Sequence, residues 1–354
     1  MIGIKPSVAQ SISDWTINIG LLIQDSSYTS VVRGAELAVS IANRKGGLNG
    51  RQFGLKVRSM EGPWGTGSKQ AVDLIFKENV WALMGSHDGR NAHLVEQAAT
   101  KSQVVFISAW SGDPTLSQAF VPWFFNCVPN DRQQAGSLIE EIYVKKKVSS
   151  ACVVFESDYD SKLALDNFLK QVKQSGKPEP VQFKLDDFKG KTNALIETIK
   201  KRNAECLVLF CHTPVARELI AEIRRENYNI PLFGSVMLLN ENELQVNKLK
   251  VYDDLLSVPS GSWPEAELKT FIQEYLEKYK RMPGMAACYS YDAANTLIEA
   301  IRIAGNNDRE RIQKALSTIN LKGVTGPVLF DSKGNRSGNF EATLIKNGLP
   351  ATVK

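Results

Sequence analysis

The sequence predicts an α/β protein of two lobes, each a parallel sheet flanked by helices. Short apolar strands alternate with amphipathic helices along most of the chain, the pattern of βαβ units. The alternation runs through once, pauses near Pro129 and restarts, which gives two such runs. The chain has 354 residues, 43% hydrophobic and 23% charged. That is ordinary globular composition, long enough for about two domains at roughly 150 residues each.

In the first run, Ile17 to Ile23 (INIGLLI) reads as a strand. Val31 to Ala42 reads as a helix, with Val32, Ala35, Leu37, Val39 and Ile41 near helical spacing. Asn43 to Gly47 stops it, with glycine suited to a left-handed cap. Phe53 to Ser59 is a strand, Gln70 to Phe76 opens a helix, and Val80 to Met84 and Val104 to Ser108 are short strands. The second run places helices at Gln133 to Val144, Lys162 to Lys173, Asn193 to Lys200 and Val215 to Glu226. Its strands are Ala151 to Phe155, Val181 to Leu185, Leu207 to Phe210 and Leu232 to Gly234. The tail breaks the rhythm with two long helices, Glu265 to Lys280 and Tyr291 to Ala304. A hairpin is then expected from Pro327–Asp331 and Phe340–Ile345 around the turn Ser332–Gly334.

Charge and cysteine content exclude several classes. The net charge is +5, spread along the chain, and the densest basic run, Lys145 to Lys147, falls at an expected helix end. No basic arm, zinc spacing or N-terminal helix-turn-helix is present, so nucleic acid is not an expected partner. No apolar stretch reaches the roughly 18 residues of a membrane span. The polar stretch Met1 to Trp15 carries no signal-peptide core, which leaves a cytoplasmic protein or one whose targeting peptide has been removed. Cys127, Cys152, Cys206, Cys211 and Cys288 are odd in number, lack a CxxC pair and mostly sit in apolar runs, so buried inert thiols are expected.

Catalytic motifs fail on inspection. Gly62-Pro-Trp-Gly-Thr-Gly-Ser-Lys69 looks like a phosphate-binding loop, but serine precedes lysine and Pro63 removes an amide from the cradle. Trp64, at the tip of that loop, must either pack or meet a ligand. Ser86-His87-Asp88 holds triad residue types, yet adjacent residues cannot form a relay, and Cys211-His212 fails for the same reason. No metal-ligand spacing is present, and neither an enzyme nor a cofactor is expected. What remains are loops at the carboxyl ends of strands, where open α/β sheets bind ligands. These run from Gln24 to Tyr28, Ser86 to Arg90, Ala109 to Asp113, Glu156 to Asp160, Cys211 to Pro214 and Ser235 to Leu238.

The order of several short marks resembles the type I periplasmic solute-binding proteins of ABC transporters, the branched-chain amino-acid-binding family. The marks are Gly34-Ala-Glu-Leu-Ala38, Asn43 to Gly50, Lys69 to Val72, Leu83-Met-Gly85, Phe106-Ile-Ser108 with Pro114, and Pro129 to Gln134. Asp187-Phe188 before Ile196, Tyr291-Asp-Ala293 and Gly326 to Asp331 complete the set, over about Ile17 to Gly348. The resemblance implies two Rossmann-like lobes joined by a three-strand hinge and closing on a small solute. One lobe would be 1–131 plus 259–324, the other 132–258 plus 325–354. It implies a periplasmic protein, possessing or lacking a lipid anchor, that serves a permease in the inner membrane; a sensor subunit of the same fold is the alternative.

Site positions follow from the same resemblance. A ligand carboxylate would meet Asp88, Gly89 and Arg90, and then Ala109, Trp110 and Ser111. The second lobe would supply Tyr159, His212 and Thr213, with Val236 and Met237 where the family grips an ammonium with an acid. Tyr28 and Trp64 complete the expected pocket. With no acid at Val236–Met237, with Asp88 at the carboxylate position and with bulky Trp110, the expected solute is apolar or aromatic, with or without a carboxylate; a branched-chain or other amino acid is the alternative.

Overall fold

A computed structural model describes residues 16–85, 88–118, 122–240, 251–253 and 256–351. The N-terminal stretch to Trp15, and Ser86 and His87 of the triad-like motif, lie outside the described residues.

The first sheet contains β1 (Thr16–Ile23), β2 (Gln52–Ser59), β3 (Ala82–Gly85), β4 (Phe106–Ser108) and β5 (Phe124–Asn126), ordered β2-β1-β3-β4-β5. Every pairing in it is parallel. Because side chains alternate across a strand, its two faces bury different residues. Leu22, Leu83 and Phe106 pack against α2 (Thr66–Phe76) and α3 (Gly89–Lys101). Ile19, Leu21, Met84 and Ile107 face the other cluster, which holds α1 (Thr29–Arg44) and the tail helix α9 (Met285–Ala304). α1 meets α9 at Gly34, where a Cβ would stand 2.2 Å from the Ala287 carbonyl oxygen, so only glycine lets the two backbones touch.

The second sheet runs β14-β13-β10-β9-β8-β6-β7. Its parallel part is β6 (Ala151–Phe155), β7 (Val181–Lys184), β8 (Cys206–Phe210), β9 (Leu232–Gly234) and β10 (Leu256–Pro259). Antiparallel β13 (Ala342–Lys346) and β14 (Leu349–Pro350) close one edge. α4 (Asp131–Ile139) and α5 (Tyr159–Gln174) cover one face, and α6 (Thr192–Lys201) and α7 (Thr213–Arg225) pack into the other.

Several expectations need correction. The tail hairpin turns at Ser332–Gly334 as expected, but its second arm is residues 335–337, with Phe330 bridged antiparallel to Arg336, and not Phe340–Ile345; β12 (Gly326–Val328) pairs with β11 (Leu321–Gly323), and β13 pairs with β10 and β14. The turn is held by its own residues and by one distant partner. The Asp331 carboxylate accepts from the Lys333 and Asn335 amides, and the Gly334 carbonyl accepts from the Asn126 amide at 2.7 Å. The helix expected to 144 continues past Ile139 as a π-helical turn, Glu140–Lys145. α9 starts at Met285, six residues before the expected Tyr291, because its first turns are wholly buried and show no amphipathic signal. α3, β5, α10 (Arg309–Ser317), β10, β11 and β14 were not anticipated; most are short or end at loops without a strong period.

The chain passes from the first sheet to the second after β5, returns toward the tail helices α8 (Glu265–Tyr279), α9 and α10 after β10, and crosses again between β12 and β13. Arg336, 1% exposed, ties these crossings together. It donates to the carbonyls of Cys127 (2.8 Å) and Gly326 (2.9 Å) and to the Thr325 hydroxyl (2.7 Å). That hydroxyl in turn donates to buried Asp292, which also accepts from the Val324 and Thr325 amides. A buried guanidinium is tolerable only with its donors satisfied and a counter-charge near.

All five cysteines are buried and free; burial pushes the Cys127 and Cys206 thiols up to about 12. Lys145 and Lys146 reach Glu141 at 3.4 and 3.7 Å and form a solvated helix end. Among the described residues no helix is long and apolar enough to cross a membrane.

Candidate functional site

The carboxyl ends of the two sheets face each other, and the helices that follow the strands begin there. α5 starts with Tyr159 and Asp160 behind the N-cap Asp158, whose carboxylate accepts from the Ser161 amide. Both reach across to the other sheet's loops. The Tyr159 hydroxyl donates to Asp113 Oδ2 at 2.9 Å, and Asp160 Oδ1 accepts the Gly89 amide, the first of α3, at 2.9 Å. The Arg90 guanidinium lies 5.3 Å from the centre of the Tyr159 ring.

Behind these contacts lies a cavity of about 20 Å³ lined by Trp110, Gly112, Asp131, Gln134, Asp160, Ser235, Val236 and Met237. That is room for about one water. Of the expected residues, Trp110, Val236 and Met237 therefore line a common space, and Gly89 and Tyr159 close its rim. Trp110 is 4% exposed and stands edge-on to Tyr289 at 5.5 Å, so it is a rigid wall. The Val236 amide donates to Gln134 Oε1 at 2.9 Å, and Met237 Sδ accepts from the Ser161 hydroxyl at 3.6 Å.

Other expected residues do different work. Asp88 is the N-cap of α3: Oδ1 accepts from the Asn91 amide at 2.8 Å and Oδ2 from the Asn91 side chain at 2.6 Å. Ala109 is buried beneath the loop. Ser111 serves that loop internally, its hydroxyl accepting from the Asp113 amide and its carbonyl from the Asn126 side chain. Thr213 is buried, and its hydroxyl donates to the Asn240 carbonyl at 3.1 Å. Tyr28 is half-buried at the start of α1 against the core. Trp64 is 75% exposed and does not line the cavity.

His212 pairs through Nε2 with Asp158 Oδ1 at 3.1 Å, and its amide donates to Glu156 at 2.5 Å. Burial works against a charged imidazole there, but the Asp158 bond prevails and raises its pKa. Glu156, Asp158 and His212 bring possible metal donors within 4.8 Å of one another; His212 Nε2 pairs with Asp158 Oδ1, Glu156 accepts from the His212 amide, and Asp158 Oδ2 has no hydrogen-bond partner among the described residues.

The residues that sequence reasoning missed are acids. Asp131, the first residue of α4, is 6% exposed, and among the described residues no hydrogen-bond donor meets its carboxylate. Burial, then the charges of Asp160 and Asp113, raise its pKa well above the ordinary carboxylate value. Burial also drives Asp160 up to about 7, against the pull of the Gly89 amide. Asp113 goes the other way. Burial would raise it, but bonds from His93, Thr115 and Tyr159 hold it low, and His93 in turn is raised to about 9 chiefly by Asp113. The local signal for Asp131 was legible: Asn130-x-x-Gln133 is a capping box that opens α4 and turns the next residue into the cleft's floor. Asp160 could have been counted with Tyr159, its neighbour.

The two α/β sheets face each other across their strand ends, with the small cavity between the loops and helix starts that follow them. The chain belongs to the periplasmic binding protein family, whose model matches residues 16–345. It is similar to the Leucine-, isoleucine-, valine-, threonine-, and alanine-binding protein of Pseudomonas aeruginosa, at 22% identity over 88% of this chain and 83% of that protein. Among solved structures it is similar to the branched-chain amino acid transporter substrate binding protein of Streptococcus pneumoniae in complex with isoleucine. There the TM-score is 0.78 and the identity 21%, over 94% of this chain and 97% of that one. It is also similar to a solute binding protein of an ABC transporter from R. palustris in complex with benzoate. That match has TM-score 0.79 and 20% identity, over 96% and 95% of the two chains. These relatives are solute-binding proteins, and this chain is a binder and not an enzyme.

Proposed function

We propose that the cleft between the two sheets captures a small solute that carries a positive charge on an apolar body. The observation that carries this reading is Asp131: a buried carboxylate that lines the cavity beside Asp160 and meets no hydrogen-bond donor among the described residues. Two carboxylates in one desolvated space repel each other, and a cation relieves both charges at once. Trp110, Val236 and Met237 supply the apolar wall. The apolar or aromatic body expected from sequence is kept in this reading, and a cation takes the place of the optional carboxylate.

In this reading the lobes are 1–131 plus 259–324 and 132–258 plus 325–354, and closure makes the Tyr159–Asp113 and Asp160–Gly89 contacts. The closed form is the one presented to the permease of an ABC importer at the outer face of the inner membrane. A thermal-shift panel of amines, neutral compounds and carboxylic acids tests the charge. At a hundredfold excess over Kd a true ligand stabilises by about 2.7 kcal/mol. Stabilisation by amines that is lost in Asp131→Asn is the expected result. Hits confined to neutral compounds or acids, or equal binding by the variant, would refute it.

A further inference from the structure

The proposed cation leaves open whether the solute also carries a carboxylate, as an amino acid does. The place for one in this cleft would be the N-terminus of α3, where free amides and the helix dipole favour an anion. This chain fills that place itself. Asp88 caps the Asn91 amide at 2.8 Å from within the loop, and Asp160, from the opposite sheet's helix, accepts the Gly89 amide at 2.9 Å. There is no room beside them: a Cβ on Gly89 would lie 2.8 Å from Asp113 Oδ2, 2.9 Å from Asp160 Oδ1 and 2.9 Å from the Tyr159 ring. At the cavity, the Val236 amide is taken by Gln134 at 2.9 Å.

We propose, resting on the cation reading above, that the solute is an organic amine without a carboxylate, and that Asp160 is the residue that excludes acids and amino acids. An incoming carboxylate would have to displace Asp160 from α3 and then sit among Asp88, Asp113, Asp131 and Asp160. The cations nearby have partners of their own: His93 with Asp113 at 3.1 Å, His212 with Asp158 at 3.1 Å, and Arg90 on the Tyr159 ring. An ammonium, in contrast, finds acceptors matched to its three donors. These are Asp131, Asp160 and the Ser235 hydroxyl, which is buried at the cavity and has no hydrogen-bond partner among the described residues.

The test is isothermal titration of the full chain with three probes of one apolar body: 3-methylbutylamine, leucine and 3-methylbutanoate, with phenethylamine, phenylalanine and phenylacetate as the aromatic set. The expected order is amine first, amino acid at least tenfold weaker, and acid without detectable binding. In Asp160→Ser, which frees the Gly89 amide, the gap between amino acid and amine should shrink at least tenfold. Leucine or phenylalanine binding as tightly as its amine would overturn the exclusion of carboxylates while leaving the cation reading intact. Binding by the acids alone would overturn both. Binding by none of the probes at millimolar concentration would overturn the small-amine class.

Discussion

In the proposed reading, closing the cleft buries Asp160, and this makes closure depend on pH in a direction that can be worked out. In the closed form the Asp160 carboxyl titrates at about 7, against an ordinary 3.8. Opening exposes it to water and returns it to that ordinary value. A group whose pKa is raised in one state favours that state when protonated. The closed form is therefore favoured fully below about 3.8, and the advantage is lost as the pH rises through about 7. The two values differ by about 3, which is about 4 kcal/mol. Because Asp160 is not fully out of solvent, we halve that to about 2 kcal/mol, or roughly thirtyfold in the ratio of closed to open forms. The charged groups facing it act in both senses. Asp88 and Asp158 push the same way as burial, while the Gly89 amide and His212 pull against it. Asp131 shares the trend, so the comparison that isolates Asp160 is with Asp160→Asn, which keeps an acceptor for Gly89 without a charge. Small-angle scattering of the free protein is the assay. The wild type should expand between pH 5 and pH 8, and the variant should expand less. An equal response in both proteins, or contraction of the wild type with rising pH, would refute the reasoning.

Two further outcomes are expected. Tyr159→Phe removes a 2.9 Å bond between the facing sheets, to an acid that keeps its His93 and Thr115 partners; about 1 kcal/mol, or roughly fivefold in solute affinity, should be lost with the melting temperature unchanged. Gly34→Ala places a methyl 2.2 Å from the Ala287 carbonyl oxygen and forces α1 from α9; thermal unfolding should show a loss of about 1–3 kcal/mol, and an unshifted melting curve would mean the helices do not touch there.

Much of the fold was legible because its strands are apolar and its helices amphipathic. Ala151–Phe155 matches its strand end for end, and Thr16–Ile23 and Cys206–Phe210 differ from expectation by one residue. Legibility failed where the pattern gave no contrast. The buried first turns of α9 look like neither an amphipathic helix nor a strand, and β13 chose the distant β10 over the nearby β12. The site was half legible. Trp110, Val236 and Met237 line one cavity, and the Tyr159 hydroxyl bonds Asp113 across the facing sheets. Asp88 and Thr213 turned inward because a helix cap and a buried carbonyl were better partners than open space.

The sequence by itself determined the class: the alternation of strand and helix, its restart near Pro129 and the loops at strand ends follow from local periodicity, which needs no partner to be read. Only the tertiary structure decided the charge of the site. Asp113, Asp131 and Asp160 lie on three separate segments, and a carboxylate's cost depends on its desolvation and its neighbours. Neither is a property of the chain until the two sheets face each other.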